Sequence, residues 1–352
     1  QVAELDLSRF SGYVPEEIFS GNKFPRIKES PYLLTLGRYD YFWFALKREE
    51  KALRFGKIWK IPEVSGSWET IFTGKTKEIL EEKILPAYMK ASKYLLSKFL
   101  EIREVKIIEN VHIKEDMCDV QLLLLEIKYT SGSLDTYILP LSFLHGEKAE
   151  NIIIENPYAV IAHLKCDNTE GIIYDSIYDE EFQKHLLLMF MRIHTVHGLQ
   201  GAIVPYTGKH FKMYKKKELA LFKPRIFQGE QNNSSIIYGK ELILKLYRRL
   251  DEGVNPELEM CRFLTEKVHF QHVPPFTGAI EYRQPGREPL VVGLLQSFIP
   301  NEGNAWAYTQ DWIGRYFGRI LARKNEIQEI PKTSHAFFDR VFQEIPVLIQ
   351  EL

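Results

Sequence analysis

The fold is decided by residues 241–259, which read ELILKLYRRLDEGVNPELE. Leucines at every second position from Leu242 predict a β-strand within Glu241–Leu250 that has one apolar face. Lys245 lies on the opposite face of that strand. A lone ammonium group in such a strand requires an anionic partner or a path to water. The strand therefore carries a charge that its surroundings must accommodate.

A helix is predicted over Pro256–Lys267, shortly after this strand. Asn255 precedes it as a cap and proline suits the first helical position. The first turn carries two carboxylates, Glu257 and Glu259. Kinase-like folds pair a strand lysine with a helix glutamate to hold the α- and β-phosphates of ATP. The order of strand and helix therefore favours a nucleotide-binding site.

The segment before the strand, Gln228–Ser235, is polar. Its backbone N–H groups and hydroxyls could cover phosphates, although it matches neither the GxGxxG nor the Walker A pattern. An ordinary hairpin turn is the alternative for this segment. A lysine that simply reaches into solvent is the alternative for Lys245. The residues alone leave both interpretations open.

Composition narrows the class of protein. The 352 residues are 45% hydrophobic and 26% charged, and 46 Lys and Arg balance 47 Asp and Glu to a net charge of −1. This balance argues against nucleic acid or an anionic membrane as the main partner. No apolar run approaches the length of a membrane span. Three widely spaced cysteines without metal-ligand spacing predict reduced thiols in a cytoplasmic chain.

The motifs of the second half resemble the ATP-binding lobe of the bacterial maltokinases. The core of the resemblance lies in Gly229–Ser235, Leu244–Arg249 and Gly253–Glu259. Further segments agree with it, namely His272–Pro275, Leu294–Asn301 and Ala305–Tyr308. Gly171–Asp175, followed by Asp179–Phe182, resembles the N-terminal region of the same family.

The beginning of the chain resembles a different protein. Pro31–Gly37 and Phe42–Phe44 are similar to the last strands of the trehalose synthase β-domain, from the α-amylase superfamily. Trehalose synthase occurs fused to maltokinase in one bifunctional chain. The chain opens with Gln1 and closes inside a helical pattern, so we expect a piece of that fusion. The resemblance implies a synthase barrel upstream and a kinase C-lobe downstream as partners in cis.

We therefore predict an α+β chain with five segments. Residues 1–48 are the terminal strands of an α-amylase-type β-domain and include a hairpin of Tyr32–Leu36 with Tyr41–Leu46. The others are a linker at 49–75, with Trp59 and Trp68 starting the next unit, an α+β cap region at 76–210, a protein-kinase-like N-lobe at 211–300, and the truncated start of a helical C-lobe at 301–352.

The resemblance implies ATP-dependent phosphorylation of maltose to maltose 1-phosphate, with ATP and Mg²⁺ as cofactors. Lys245 would hold the ATP phosphates and Glu259 would orient it, with Glu257 as the alternative because a two-residue offset changes the helix face. The remaining implied contacts are Ser234 and Ser235 to the phosphates, and a hinge of Gln296, Ser297 and Phe298 whose backbone binds adenine.

The sequence departs from the family at the catalytic loop. The family's catalytic carboxylate lies in a His-Gly-Asp-type loop of the C-lobe, and its metal ligands follow. Here His145-Gly146-Glu147 falls in a region of predicted strands, so we interpret it as a turn. No catalytic residue or metal ligand is assigned, and the fragment is not expected to turn over substrate.

Two non-catalytic functions remain as alternatives. One is a β-rich scaffold that joins two enzymes. The other is a carbohydrate-binding module, which requires Trp43, Trp59 and Trp68 to cluster on a surface. His194 and His197 are predicted on one helix, Asp179–His197, and are interpreted as packing residues because no third metal ligand is evident.

Overall fold

The computed structural model describes residues 2–11, 13–18, 24–25, 27, 31–35, 41–48, 59–92, 94–95, 100–115, 118–215, 219, 221–227, 232–300 and 305–322. The chain forms two compact units, one of residues 1–51 with 301–352 and one of residues 52–300. Helices and strands alternate irregularly along the chain, which confirms the predicted α+β class.

The first unit contains two small antiparallel sheets. Strand β1 (Val2–Leu5) pairs with β3 (Tyr32–Thr35), and β2 (Tyr13–Glu17) pairs with β4 (Phe44–Arg48). The predicted hairpin would pair β3 with β4. This prediction is wrong, because β3 pairs with β1 and β4 pairs with β2. Its turn, residues 37–40, lies outside the described residues.

The strands of this unit enclose a small apolar core. Ile27, Tyr32 and Leu34 are buried there, and Phe24 and Phe44 pack against them. A 3₁₀ turn at Ser8–Phe10 and helix α6 (Ala305–Ala322) belong to the same unit. The helix agrees with the helical pattern predicted after residue 301.

The second unit contains two larger sheets, here called the cap sheet and the lysine sheet. In the cap sheet the strand order is β5-β9-β10-β8-β7-β6. All neighbours are antiparallel except β5 with β9. Its strands are β5 (Trp59–Lys60), β6 (Ile102–Glu115), β7 (Cys118–Tyr129), β8 (Leu134–His145), β9 (Val160–Cys166) and β10 (Thr169–Asp175).

One face of the cap sheet is covered by a helical stretch. Helix α1 (Gly74–Ile79) continues through a π-helical turn at Leu80–Ile84 into α2 (Leu85–Ala91). Pro86 lies in the first turn of α2, and the helical stretch continues through it. A proline lacks the N–H of the regular ladder, and a π-turn just before it accommodates the interruption.

The predicted linker at 49–75 overlaps this sheet. Strand β5 pairs with β9, and a 3₁₀ turn at Trp68–Phe72 follows it. Ile71 and Trp68 are buried in the core beneath the sheet. Residues 59–72 are therefore folded structure, because the apolar side chains in this stretch are needed to complete that core.

The lysine sheet has the order β11-β12-β17-β18-β15-β14-β13. Two of its strands precede the predicted boundary at residue 211, so the cap region and the N-lobe do not separate there. The strands are β11 (Val196–His197), β12 (Ala202–Thr207), β13 (Pro224–Phe227), β14 (Asn233–Tyr238), β15 (Leu242–Tyr247), β17 (Phe276–Arg283) and β18 (Leu290–Ser297).

Further helical elements of the unit lie beside these sheets. Helix α5 (Pro256–Phe263), with a π-turn at Leu264–Val268, follows the strand that carries the lysine. The other elements are α3 (Glu147–Glu155), α4 (Glu180–Arg192), and 3₁₀ turns at Pro157–Ala159, Ser176–Tyr178 and Lys209–Met213.

The two sheets share one core and one stretch of chain. Strand β16 (Arg249–Leu250) begins two residues after β15 and pairs with β8 of the cap sheet. Side chains from both sheets and from α4 form a single buried cluster, which includes Leu122, Phe190 and Leu244. The cap sheet and the lysine sheet are therefore parts of one folded unit.

Candidate functional site

Lys245 lies in the middle of the lysine sheet. Strand β15 runs between β14 and β18, and Lys245 stands opposite Ser235 on one side and Leu294 on the other. Its Nζ donates to both carboxylate oxygens of Glu257, at 2.8 and 3.0 Å. The lysine side chain is 22% exposed and the glutamate 44%, so the pair lies at the protein surface.

The start of α5 fixes the position of Glu257. The Asn255 side chain accepts a hydrogen bond from the Leu258 N–H at 3.0 Å, as an N-cap does, and Pro256 occupies the first helical position. Leu258 and Cys261 are buried and hold the helix against the protein. Glu257 is thereby presented to the strand.

Glu259 does not contact Lys245, so the expected pairing is wrong and the alternative, Glu257, is correct. Two residues along an α-helix turn a side chain by roughly 200°. Glu259 instead lines a groove with Tyr206 and Arg262.

Tyr247 completes the cluster, and sequence reasoning did not single it out. Its hydroxyl donates to Glu257 Oε2 at 2.9 Å, and its ring centroid lies 5.5 Å from Lys245 Nζ. The available signal was the strand period, which places Lys245 and Tyr247 on one face. The Lys245 ammonium is therefore held by the Glu257 carboxylate and lies near the Tyr247 ring, while the hydroxyl of that ring holds the carboxylate.

The two serines predicted to contact the phosphates lie inside the lysine sheet. Ser234 and Ser235 are buried within strand β14, so neither hydroxyl faces solvent. Ser234 Oγ accepts a hydrogen bond from Arg248 Nε at 2.9 Å. The predicted polar turn begins earlier than this strand, and residues 228–231 lie outside the described residues.

The predicted hinge is largely occupied by contacts within the protein. The Ser297 N–H donates to the Pro275 carbonyl at 3.0 Å, and the Phe298 N–H donates to the Glu241 carbonyl at 2.7 Å. Gln296 directs its side-chain amide to Cys261 Sγ at 3.1 Å. These two backbone donors therefore cannot bind adenine unless the end of β18 rearranges.

The residues around Lys245 do not fit a magnesium site on their own. Mg²⁺ prefers several oxygen ligands in octahedral geometry. Within the described residues, the carboxylate that contacts Lys245 is Glu257, and its oxygens already accept from Lys245 and Tyr247. Metal ligands would have to come from elsewhere, and we derive no step through the ion.

The remaining histidine motifs lie in a turn and after the end of a helix. His145-Gly146-Glu147 forms the predicted turn, with Gly146 at φ +66° between β8 and α3. His194 and His197 do not share a helix, because α4 ends at Arg192 and His197 lies in β11. The helix prediction over 179–197 was therefore too long.

A carboxylate and histidine cluster lies on the cap sheet. His112 Nε2 is 2.8 Å from Asp119 Oδ1 and 3.8 Å from Glu69 Oε1. Lys114 Nζ is 3.4 Å from Asp119 and 4.0 Å from Glu69. The lysine supplies the positive charge that a metal ion would otherwise supply, so the cluster is an ion-pair network.

One of the three tryptophans that the carbohydrate-binding alternative requires on a surface is buried. Trp68 is buried in the core of the cap sheet and packs edge-on against Phe72. It cannot form part of an exposed aromatic surface.

Among the described residues, no helix is both long and apolar enough to cross a membrane.

The start of the chain has clear relatives. Residues 1–43 match the family described as Maltogenic Amylase, C-terminal domain. The chain is 48% identical over 46 residues to "Trehalose synthase" of Pimelobacter sp. (strain R48), which is 13% of this chain and 8% of that protein. It is 44% identical over 50 residues to "Trehalose synthase/amylase TreS" of Mycobacterium tuberculosis (strain ATCC 25618 / H37Rv), 14% of this chain and 8% of that protein.

These matches confirm the prediction for the first segment, which is similar to the C-terminal domain of maltogenic amylases and to trehalose synthases. The chain covers 8% of the length of these curated relatives.

Solved structures of a sugar kinase have a distant likeness to the chain. The first, "Glucosamine kinase in complex with glucosamine, ADP and inorganic phosphate", has a TM-score of 0.37 and 13% identity, covering 69% of this chain and 44% of that one. Crystal form A of glucosamine kinase has a TM-score of 0.35 and 13% identity, covering 64% and 40%. Neither value identifies a function for this chain.

Proposed function

We propose that residues 52–300 form the nucleotide-binding half of an ATP-dependent sugar kinase. The observation that carries the proposal is the ion pair of Lys245 on a central strand with Glu257 in the first turn of the next helix. Phosphoryl transfer depends on positioned charge more than on covalent chemistry by the protein. A fixed, partly exposed ammonium group meets that requirement.

Each member of the cluster has a defined part in this proposal. Lys245 contacts the phosphates of ATP. Glu257 keeps the ammonium in place, and Tyr247 holds the second carboxylate oxygen of that glutamate. The ring of Tyr247 also screens one side of the ammonium from water, which strengthens its attraction to an anion.

We further propose maltose as the sugar and maltose 1-phosphate as the product, in a cytoplasmic chain fused to trehalose synthase. The support is the maltokinase-like sequence motifs together with an N-terminal segment similar to trehalose synthases. The catalytic carboxylate and the metal ligands would come from a C-lobe, since this sequence contains no His-Gly-Asp motif. We expect the 352 residues to bind MgATP without transferring phosphate.

Calorimetric titration of MgATP into the chain tests the nucleotide site. In Lys245→Ala we expect affinity to fall by at least tenfold, since a charge-assisted contact contributes about 1.5–3 kcal/mol. Lys240→Ala is the matched control, because this lysine lies in the turn between β14 and β15 and should leave affinity unchanged. Equal binding by Lys245→Ala and the unmodified chain would contradict the assignment.

The sugar is tested on a form of the protein extended downstream through the C-lobe. We expect formation of a maltose phosphate whose anomeric carbon carries the ester, detected by phosphorus NMR. Phosphate on glucosamine and not on maltose would retain the kinase and overturn the proposed substrate.

A further inference from the structure

Arg248 marks the point where the chain leaves one sheet and enters the other. Three residues earlier, Lys245 is paired within the lysine sheet. The Arg248 carbonyl accepts a hydrogen bond from the Ile138 N–H of β8 at 2.8 Å, and the next residue opens β16 in the cap sheet. Only Arg248 thus separates the strand that carries the lysine from a strand of the cap sheet.

The Arg248 side chain is buried and reaches three elements. It is 2% exposed, and its Nη2 donates to Asp175 Oδ2 at 2.8 Å, at the end of β10. Its Nε donates to Ser234 on β14. The guanidinium carbon lies 4.3 Å from the ring centroid of Tyr94. A planar fork of this kind holds its partners in a fixed mutual geometry.

Asp175 also accepts hydrogen bonds from the turn that follows β10 and from the helix that covers the cap sheet. It is fully buried, its Oδ1 accepts from the Ile177 N–H at 3.1 Å, and its Oδ2 accepts from the Tyr88 hydroxyl on α2 at 3.4 Å. The network therefore runs from α2 through Asp175 and Arg248 to β14. It ties both strands of the β14–β15 hairpin to the cap sheet.

Stability alone gives little reason for this arrangement. Burial of two charges costs more than their attraction returns unless every polar atom is satisfied. Within the described part of the chain Arg248 Nη1 has no hydrogen-bond partner. Burial also raises the pKa of Asp175 although the Arg248 guanidinium lies beside it. The network therefore contributes fixed geometry more than it contributes free energy.

We propose that Arg248, held by Asp175, is a positioning residue for the phosphate site: it sets the β14–β15 hairpin, and with it the Lys245 ammonium, for the phosphates of ATP. The cap sheet is then a working part of the nucleotide site and not a separate module. This inference rests on the proposed function.

The test compares ATP with adenosine. MgATP and adenosine are each titrated into the unmodified chain, Asp175→Asn, Arg248→Lys and Arg248→Met, well below the melting temperature of each variant. We expect Asp175→Asn and Arg248→Met to lose at least tenfold in MgATP affinity, with adenosine affinity changed less than twofold. Arg248→Lys, which keeps the charge and loses the fork, should fall between them and the unmodified chain.

Arg249→Met is the matched control. This neighbouring arginine pairs with Asp135 at 3.2 Å and is about one third exposed, so its loss should leave both affinities unchanged. If Arg248→Met does not fold, the nearly isosteric Asp175→Asn decides the outcome.

Each alternative result has a separate meaning. Folded variants that bind MgATP as the unmodified chain does would overturn the positioning role of Arg248 and leave the nucleotide site standing. An equal loss of ATP and adenosine affinity would also overturn it, because a general structural role predicts that result. An unmodified chain that binds neither ligand would refute the proposed function itself.

Discussion

Two ion pairs lie three residues apart on the same stretch of chain and differ in their surroundings. Lys245 and Glu257 meet at the surface, on an adjacent strand and helix. Arg248 and Asp175 meet in the interior, 73 positions apart in sequence, and join two sheets. The surface pair is partly exposed to solvent, whereas the interior pair is buried.

Because one ion pair is exposed and the other is buried, we expect the two pairs to have different roles. A surface pair contributes little to stability because water and salt screen it, so its use lies in what it can bind. A buried pair is costly to break and gives little net stability when intact, so its use lies in geometry. If this division is correct, substitutions at the two sites affect different measurements.

The largest expected effect follows removal of one buried partner. Arg248→Ala leaves the Asp175 carboxylate buried without its cation, so we expect a loss of about 3–5 kcal/mol in the free energy of unfolding. Denaturant unfolding of the 352-residue chain measures it. A loss below 1 kcal/mol would show that water reaches Asp175, and the contrast between the two pairs would fail.

Glu109 shows a third way to hold a buried charge, because among the described residues its partners are hydrogen-bond donors and not a cation. Its carboxylate accepts from the backbone N–H groups of Leu199, Gln200 and Gly201 and from the Tyr282 hydroxyl, at 2.7–3.0 Å. We expect Glu109→Gln to cost about 1–3 kcal/mol near neutral pH, because an amide NH₂ cannot accept these donors. Glu126→Gln, a half-buried carboxylate on β7, is the control with little expected change.

The same carboxylate predicts the sign of an acid dependence. Burial acts to raise its pKa, yet the Gln200 N–H and the other donors together hold the pKa of Glu109 below its ordinary value. The unfolded chain therefore binds the proton first as pH falls. The stabilisation is complete above the ordinary glutamate pKa and is lost as pH falls through the lower folded value. Unfolding free energies between pH 3 and 7 should fall more steeply for the unmodified chain than for Glu109→Gln. Parallel curves would contradict this account.

A smaller effect is expected from loosening the surface pair. Glu257→Gln leaves Lys245 charged but without its carboxylate anchor, so we expect MgATP affinity to fall about threefold to tenfold, which corresponds to roughly 0.6–1.4 kcal/mol. Calorimetry measures it, and Glu259→Gln serves as the control on the same helix turn. If Glu259→Gln weakens ATP binding more than Glu257→Gln, the geometry of the site is wrong.

The smallest effect is on stability at the surface pair. Lys245→Ala should change the free energy of unfolding by no more than about 1 kcal/mol, because the pair is partly exposed. Thermal melting in low and high salt checks this. A loss as large as that of Arg248→Ala would remove the distinction between the two pairs.

The sequence indicated Lys245 and the first turn of the next helix as the members of the surface pair, and it missed the buried pair for a physical reason. Lys245 and the helix start at Asn255-Pro256 are local signals, readable within 15 residues. The choice between Glu257 and Glu259 was not, because it depends on how Leu258 and Cys261 seat the helix. Arg248 continues the apolar face of Leu242, Leu244 and Leu246, which was a signal that a charge enters the core.

Longer-range features could not be predicted from patterns. The partner of Arg248 is set by the packing of two sheets, and β16 joins the cap sheet through a pairing with β8. The serines of β14 were expected to contact phosphates because they end a polar segment that resembles part of the ATP-binding lobe of the maltokinases. Their burial is decided by the strand's two neighbours, which the local sequence does not encode.

Affinity labelling of the phosphate site tests directly whether Lys245 contacts ATP. An acyl phosphate of ATP transfers its acyl group to a nearby lysine amine and releases ATP, and peptide mass spectrometry identifies the lysine. We expect that Lys245 is acylated, that excess MgATP protects it, and that Lys240 is labelled equally with and without ATP. Labelling that ATP suppresses at another lysine, with Lys245 unmodified, would contradict it.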